Sequence, residues 1–381
     1  MKHINNYIER KTSCLTGSTN FGKLAVIDEF PVFFGVTDLP ENEDLYAKME
    51  WFVEEETGLI QLNNLIPLDI LYQSQHAYGF GETWEKHYQE FSQFIMGCNP
   101  ENVLEIGGGQ GRIAQICTGN SMISNWTIIE PNPTFKETKK IKVVEGFFDK
   151  SVEIQGEFDT YTFSHVLEHA YDPREFLSSI YDRMNITDRL IFSYPNLKSW
   201  LSNKYTNSLN FEHTMLLTDS HLDSLLKSLG FKIVNKMKYI EHSHFYLVQK
   251  NDPKEIPDVT YENLFDENSK LLKDFINFHE MEVEKLNSYI IENSTKEIYL
   301  FGAHIFSQYL KVFGLDTKNI VGILDNSKEK QGKRLYGTEL FVKSPDVLQN
   351  VKEVAVILRA GPYNEEIKRQ LLGINKNIIV I

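Results

Sequence analysis

The stretch VLEIGGGQGRIA carries Glu105, Gly107, Gly109 and Gly111 at alternate positions, where a strand turns into a helix. Glycines permit the tight turn and let backbone N–H groups approach a ligand with no Cβ in the way. A dinucleotide fingerprint reads GxGxxG and this stretch reads GGGQG, so the loop alone is weak evidence. In WTIIEPNP, Glu130 closes the next strand 25 residues after Glu105, where a carboxylate accepts both hydroxyls of a ribose. KVVEGFFDK then offers Phe147, Phe148 and Asp149, aromatic rings for an adenine to stack on and an acceptor for its amine. FDTYTFSHVLEHAYDP follows as a fourth strand and turn, with His165 expected at the cofactor and His169 at the pocket beside it. In this order and at loop spacing, the four elements are far more specific than any one of them.

The elements that must position these residues alternate. TWEKHYQEFSQFIMG, residues 83–97, has the apolar spacing of an amphipathic helix. From residue 103 come VLEI, a helix from Arg112, WTIIE, KVVEG, FDTYTFS, a helix starting at Pro173 behind Asp172, and RLIFSYP. A helix ending at Gly230 and a hairpin of FKIVNKMKYI with HFYLVQK complete the run. Five strands joined by helical crossovers and closed by an antiparallel pair predict an α/β, doubly wound, seven-stranded core over 80–250. Residues 1–79 read as a small irregular module with strand-like pieces. After a linker with two prolines, 251–295 holds a charged helix, taken as a solvated connector or an oligomer contact. Residues 296–381 read as a Rossmann-like α/β domain. Its Gly302-Ala-His304 turn keeps only the first glycine of a dinucleotide fingerprint, so independent NAD binding is not expected. Asp325, at the end of its second strand, suits a sugar hydroxyl or a turn cap.

The glycine loop around Glu105, the acidic Glu130, the HVLEH segment and the seven-strand count resemble the S-adenosylmethionine-dependent class I methyltransferases. Over nearly the whole chain, the layout resembles the three-domain sugar C-methyltransferases that act on nucleotide-linked deoxysugars. HAYGFGETWEKHYQEF matches the entry to their core, with Tyr78 keeping the second tyrosine of a YxY segment. NFEHTMLLT matches their Glu-His segment, here Glu212 and His213. The resemblance implies His213 as general base, Glu212 orienting it, Tyr78 touching the acceptor and His169 lining the pocket or sharing the proton. The family's zinc module needs two CxxC pairs, which here read Cys14-Leu-Thr-Gly17 and Glu54-Glu-Glu-Thr57. One thiol cannot hold a structural zinc, so none is expected, and no other metal is assigned. Asn210 replaces a family tyrosine, which leaves carbon or oxygen as the methyl acceptor.

Composition narrows the partners. The 381 residues carry 39 Lys+Arg against 53 Asp+Glu, a formal charge of −14, which disfavours nucleic acid. No apolar run suits a membrane span, the N-terminus does not read as a signal peptide, and three scattered cysteines suit reduced thiols, so a cytoplasmic protein is expected. His165-Val-Leu-Glu168-His169 also fits the HxxEH pattern of zinc peptidases. That site needs the segment inside a helix, whereas here it abuts a strand. His242 and His244 read as ordinary polar positions. The expected function is methyl transfer from S-adenosylmethionine, leaving S-adenosylhomocysteine, to a sugar that is nucleotide-linked. The alternatives are O-methylation of another small hydroxylated acceptor and a non-catalytic sugar-nucleotide-binding subunit. The oligomeric state is not read from the sequence.

Overall fold

Strands in which consecutive residues are apolar, such as Val103–Leu104 and Ile128–Ile129, must be covered on both faces, which calls for helices on either side of a parallel sheet. The computed structural model describes residues 2–73, 82–119, 122–150, 152–251 and 259–381. Its central sheet comprises β1 (Asn102–Ile106), β2 (Asn125–Glu130), β3 (Ile141–Glu145), β4 (Thr160–Ser164), β5 (Arg189–Pro195), β6 (Phe231–Tyr239) and β7 (Ser243–Lys250). Their order is β3-β2-β1-β4-β5-β7-β6. The first five are parallel and β7 runs antiparallel to both β5 and β6. The strand order reverses beside β1, so the carboxyl ends of β1, β2 and β4 open a crevice at the switch point.

The helices begin where the sequence signals place them. α1 spans Glu82–Met96, α2 Arg112–Thr118, α3 Pro173–Arg183, α4 Leu197–Ser202 and α5 Asp219–Ser228. Asp172 caps α3 by accepting from the Glu175 N–H at 2.8 Å, with Pro173 in the first turn. Thr218 and His221 form a reciprocal capping pair on α5, and Gly230 follows it at φ +86°.

The N-terminal residues are more regular than their composition suggests. Phe21–Pro31 and Leu45–Glu54 form an antiparallel pair, and Lys2–His3 and Ile60–Leu62 both pair with Leu45–Glu54 along its other edge. The last strand of this sheet, Met215–Leu216, is lent by the segment after Glu212 and His213. Arg10 locks the junction, its guanidinium donating to the carbonyls of Thr214 and Tyr171, each at 2.6 Å. Where the resembled family carries its cysteine pairs, the buried Glu54 carboxylate accepts from the hydroxyls of Thr16 and Thr57. All three cysteines are free thiols.

Helix α6 (Phe265–Glu292) departs from the solvated connector that its charges suggest. It buries Leu272, Phe275, His279, Val283, Leu286 and Ile290 along one stripe, contributing to two hydrophobic cores. Beyond it lie β8 (Glu297–Phe301), β9 (Ile320–Leu324), β10 (Val342–Lys343), β11 (Val354–Leu358) and β12 (Ile379–Val380), an all-parallel sheet in the order β10-β9-β8-β11-β12. This sheet is fastened to the N-terminal residues by a bidentate, buried Arg334–Asp44 pair with both contacts at 2.7 Å. Gln308 adds hydrogen bonds to Gly35 N–H and Phe33 O, each at 3.0 Å. No described helix is long and apolar enough to cross a membrane.

Candidate active site

The glycine turn sits at the mouth of β1. Gly107, Gly109 and Gly111 have φ of +70°, +54° and +67°, a region that L side chains rarely adopt. Gly108, which motif spacing does not single out, is excluded from substitution by packing: a Cβ there would stand 2.4 Å from Ile128 Cγ2. Beneath the turn, Glu105 accepts from Trp126 Nε1 at 2.7 Å. Burial pushes its carboxyl up to about 8, with Glu130 adding to the rise and the indole hydrogen bond opposing it. Because the folded state holds this proton above the ordinary carboxylate range, Glu105 weakens the fold as pH rises from about 4.5 to about 8. Glu105→Gln keeps an acceptor for Trp126 and removes the titration. The variant is therefore expected to lose less stability than the native chain between pH 5 and 8, by about 3 kcal/mol. Thermal melts of both proteins across that range check it, and equal pH slopes would refute it.

Glu130 ends β2 facing the loop. One oxygen accepts from Gly109 N–H at 2.9 Å and the other from Asn132 N–H at 3.2 Å. These two bonds fix the carboxylate in place and leave each oxygen a further lone pair for a hydroxyl. Phe147 stands 42% exposed, its ring edge-on to Tyr72 at 5.4 Å. Phe148 packs on Phe176 and beneath Arg183, and Asp149 Oδ1 accepts from Val152 N–H at 3.1 Å. Glu130, Phe147, Phe148 and Asp149 line one crevice with Glu105, Gly107 and Gly109. Backbone N–H groups, an anchored carboxylate and an accessible aromatic ring make a cradle that fits an adenosyl group.

The HVLEH segment is a short 3-10 turn (Leu167–His169) after β4, so its histidines do not share a helix face and the peptidase geometry is not formed. His165 has φ +55°, and its ring packs among Trp84, His87, Trp200 and His242. Its Nε2 meets Ser243 Oγ at 3.0 Å, and burial pushes the imidazole down to about 3. The same turn presents His169 and Glu168 to the segment that carries Glu212 and His213. Thr214 N–H donates to Glu168 O at 2.9 Å and Thr214 O accepts from Leu62 N–H at 2.9 Å, so this segment is held between the β4 turn and the N-terminal sheet.

His213 is buried, and its Nδ1 lies 3.0 Å from Ser208 O. A carbonyl only accepts, so Nδ1 donates in this contact, the tautomer that leaves the lone pair on Nε2. The orienting contact expected from Glu212 is thus made by a backbone carbonyl instead. Glu212 pairs instead with His169 Nδ1 at 3.6 Å. Asn210 Oδ1 accepts from His213 N–H at 2.8 Å, a turn contact rather than a proton-transfer role. Tyr78 lies outside the described residues. Glu168 was not singled out by sequence. It is fully buried, neither carboxylate oxygen has a hydrogen-bond partner, and desolvation raises its pKa against the pull of His169 and His213. Only its place in the HxxEH pattern signalled it.

The crevice continues without a break past His169, Glu212 and His213 to Phe278, His279, Lys330 and Arg359, a cavity of about 1410 Å³. Asp325, expected to meet a hydroxyl or cap a turn, caps the β8 turn: it accepts from Ala303 N–H and Ser327 N–H, each at 2.9 Å, and pairs at 3.2 Å with Lys330, which lines the cavity.

Residues 74–236 match the family model described as a methyltransferase domain. No curated protein sequence matches the chain. Solved structures with a similar core include the plantazolicin methyltransferase BpumL in complex with a monoazolic analogue and S-adenosylhomocysteine. It is 13% identical, with 45% of this chain and 84% of that one covered at a TM-score of 0.36. The magnesium protoporphyrin IX methyltransferase of Synechocystis is 13% identical, covering 46% and 91% at 0.36. An S-adenosylmethionine-dependent methyltransferase of Clostridium acetobutylicum is 12% identical, covering 43% and 92% at 0.33. Over residues 74–236 the chain is thus similar to methyltransferase domains.

Proposed function

We propose that this chain methylates a nucleotide-linked sugar in the cytoplasm, using Glu105, Gly107, Gly109, Gly111, Glu130, Phe147, Phe148 and Asp149 to hold the adenosyl part of the cofactor. The carrying observation is the single cavity that joins the glycine turn to Lys330 and Arg359. Its volume of about 1410 Å³ exceeds what one small ligand fills, leaving room for a second, extended molecule beside the cofactor. Lys330 and Arg359 at the distal end suit the diphosphate of such a substrate. In this reading residues 296–381 act as the substrate-holding domain and residues 1–79 as the brace of the acceptor segment.

When bound, the cofactor supplies a methyl group already activated on a sulfonium. The protein's task is then alignment and proton management. His213 Nε2 takes the proton from the acceptor, and its Nδ1–H on Ser208 O holds the tautomer that this requires. His169, paired with Glu212, lines the acceptor end beside it. Either a C–H beside a ketone or a hydroxyl suits this arrangement.

The test is a panel of nucleotide sugars and the corresponding free sugars with methyl-labelled cofactor, the new methyl being located by NMR. Methylation of a nucleotide-linked sugar and not of its free counterpart is the expected result. Turnover confined to acceptors that carry no nucleotide would overturn the assignment.

A further inference from the structure

Helix α1, the end of β4 and the β6–β7 turn each deliver one histidine to the same point. His87, His165 and His242 each present a ring nitrogen within 4.8 Å of the other two. Their ring centroids form a triangle with all three sides 5.1 Å. For imidazoles bound about 2.0–2.1 Å from a tetrahedral ion, centroids stand roughly 5 Å apart. The rings are thus already spaced as ligands of one ion.

Three further observations point the same way. His87 is fully buried and its Nδ1 has no hydrogen-bond partner, a deficit that a metal ion removes. Serine hydroxyls touch every ring: Ser193 Oγ lies 2.8 Å from His87 Nε2, and Ser243 Oγ meets both His165 Nε2, at 3.0 Å, and His242 Nδ1. Contacts of this kind set ring orientation and tautomer in metal sites. Around the three rings Trp84, Phe91, Tyr239 and Phe245 form an aromatic shell. Through Trp84, His165 and His242 the cluster borders the cavity described above.

The geometry points to a three-histidine site for a divalent first-row transition ion at His87, His165 and His242, separate from the cysteine positions of the N-terminal sheet. Imidazole nitrogens in a dry, aromatic pocket favour ions such as Zn²⁺ or Co²⁺ over Mg²⁺ or Ca²⁺, which take oxygen ligands. Bound there, the ion ties α1 to the closing hairpin and fixes the β4 turn that presents His169.

The test uses full-length protein stripped with a chelator and titrated with Zn²⁺ by calorimetry and with Co²⁺ by visible absorption. One equivalent of metal, with the intense d–d bands of four-coordinate Co²⁺, is expected. His242→Ala, placed in a turn where folding is least at risk, abolishes binding. Ser243→Ala weakens it about 10–100-fold. Glu168, His169 and His213 also lie close enough to share an ion, so His169→Ala and His213→Ala are the controls and retain it. A folded native chain that binds no stoichiometric metal would overturn the proposal. So would binding that survives His242→Ala, or binding lost in His169→Ala.

Discussion

Glu130→Ala is expected to weaken S-adenosylmethionine binding by about 100-fold or more while the chain stays folded. A hydrogen bond to a charged group contributes about 1.5–3 kcal/mol, and the proposed role gives this carboxylate two ribose hydroxyls. The loss is compounded because the same oxygens anchor Gly109 N–H and Asn132 N–H, so the glycine turn slackens when they go. Glu130 is partly accessible at a strand end, and its removal leaves no cavity in the core. Glu130→Gln, which keeps one acceptor oxygen, should fall between the two. Calorimetric titration of the three proteins, with circular dichroism as the folding control, decides the matter. Native affinity in Glu130→Ala would show that the ribose is not held at this carboxylate.

The crevice at the glycine turn was legible because its parts are local. A buried strand, a glycine turn and a helix start lie within one dozen residues, and the acidic residue closing the next strand follows at the length of one β/α unit. The seven-strand core was equally readable, since its strands are rich in apolar and β-branched residues and are set between helix start and stop signals. The histidine cluster was not. His87, His165 and His242 belong to a helix, a strand end and a turn that meet only once the sheet has closed, and nothing in their spacing announces it. The contact that holds His213 was hidden for a different reason: its partner is the main-chain carbonyl of Ser208, and any residue type supplies one.

Two regions carried signals that their charge obscured. Along α6 the positions Leu272, Phe275, His279, Val283, Leu286 and Ile290 recur at intervals of three and four, a buried stripe by periodicity alone. The many charged residues between them lie on the other faces. In residues 1–79 the alternation of Leu45–Glu54 marks a strand, but the sheet completes itself with Met215–Leu216 from far along the chain. That pairing ties the N-terminal residues to the proposed acceptor segment, because the borrowed strand begins two residues after His213.

His213→Ala is expected to reduce turnover by about 10²–10⁴-fold, the usual contribution of a positioned general base, with S-adenosylmethionine affinity near that of the native chain. The separation follows from placement. His213 sits between the 3-10 turn and the N-terminal sheet, while the adenosyl cradle is built at β1, β2 and the residues after β3. Glu212→Gln provides the discriminating comparison. If Glu212 acted by orienting His213, its loss would resemble His213→Ala. Since Ser208 O already holds the ring and Glu212 pairs with His169, Glu212→Gln should cost less than His213→Ala and should not compound fully with His169→Ala. Single-turnover rates for the two single variants and the Glu212/His169 double variant measure these couplings. A His213→Ala enzyme that turns over at the native rate would pass the proton-accepting role to the Glu212–His169 pair, the other titratable couple at the acceptor end of the cavity.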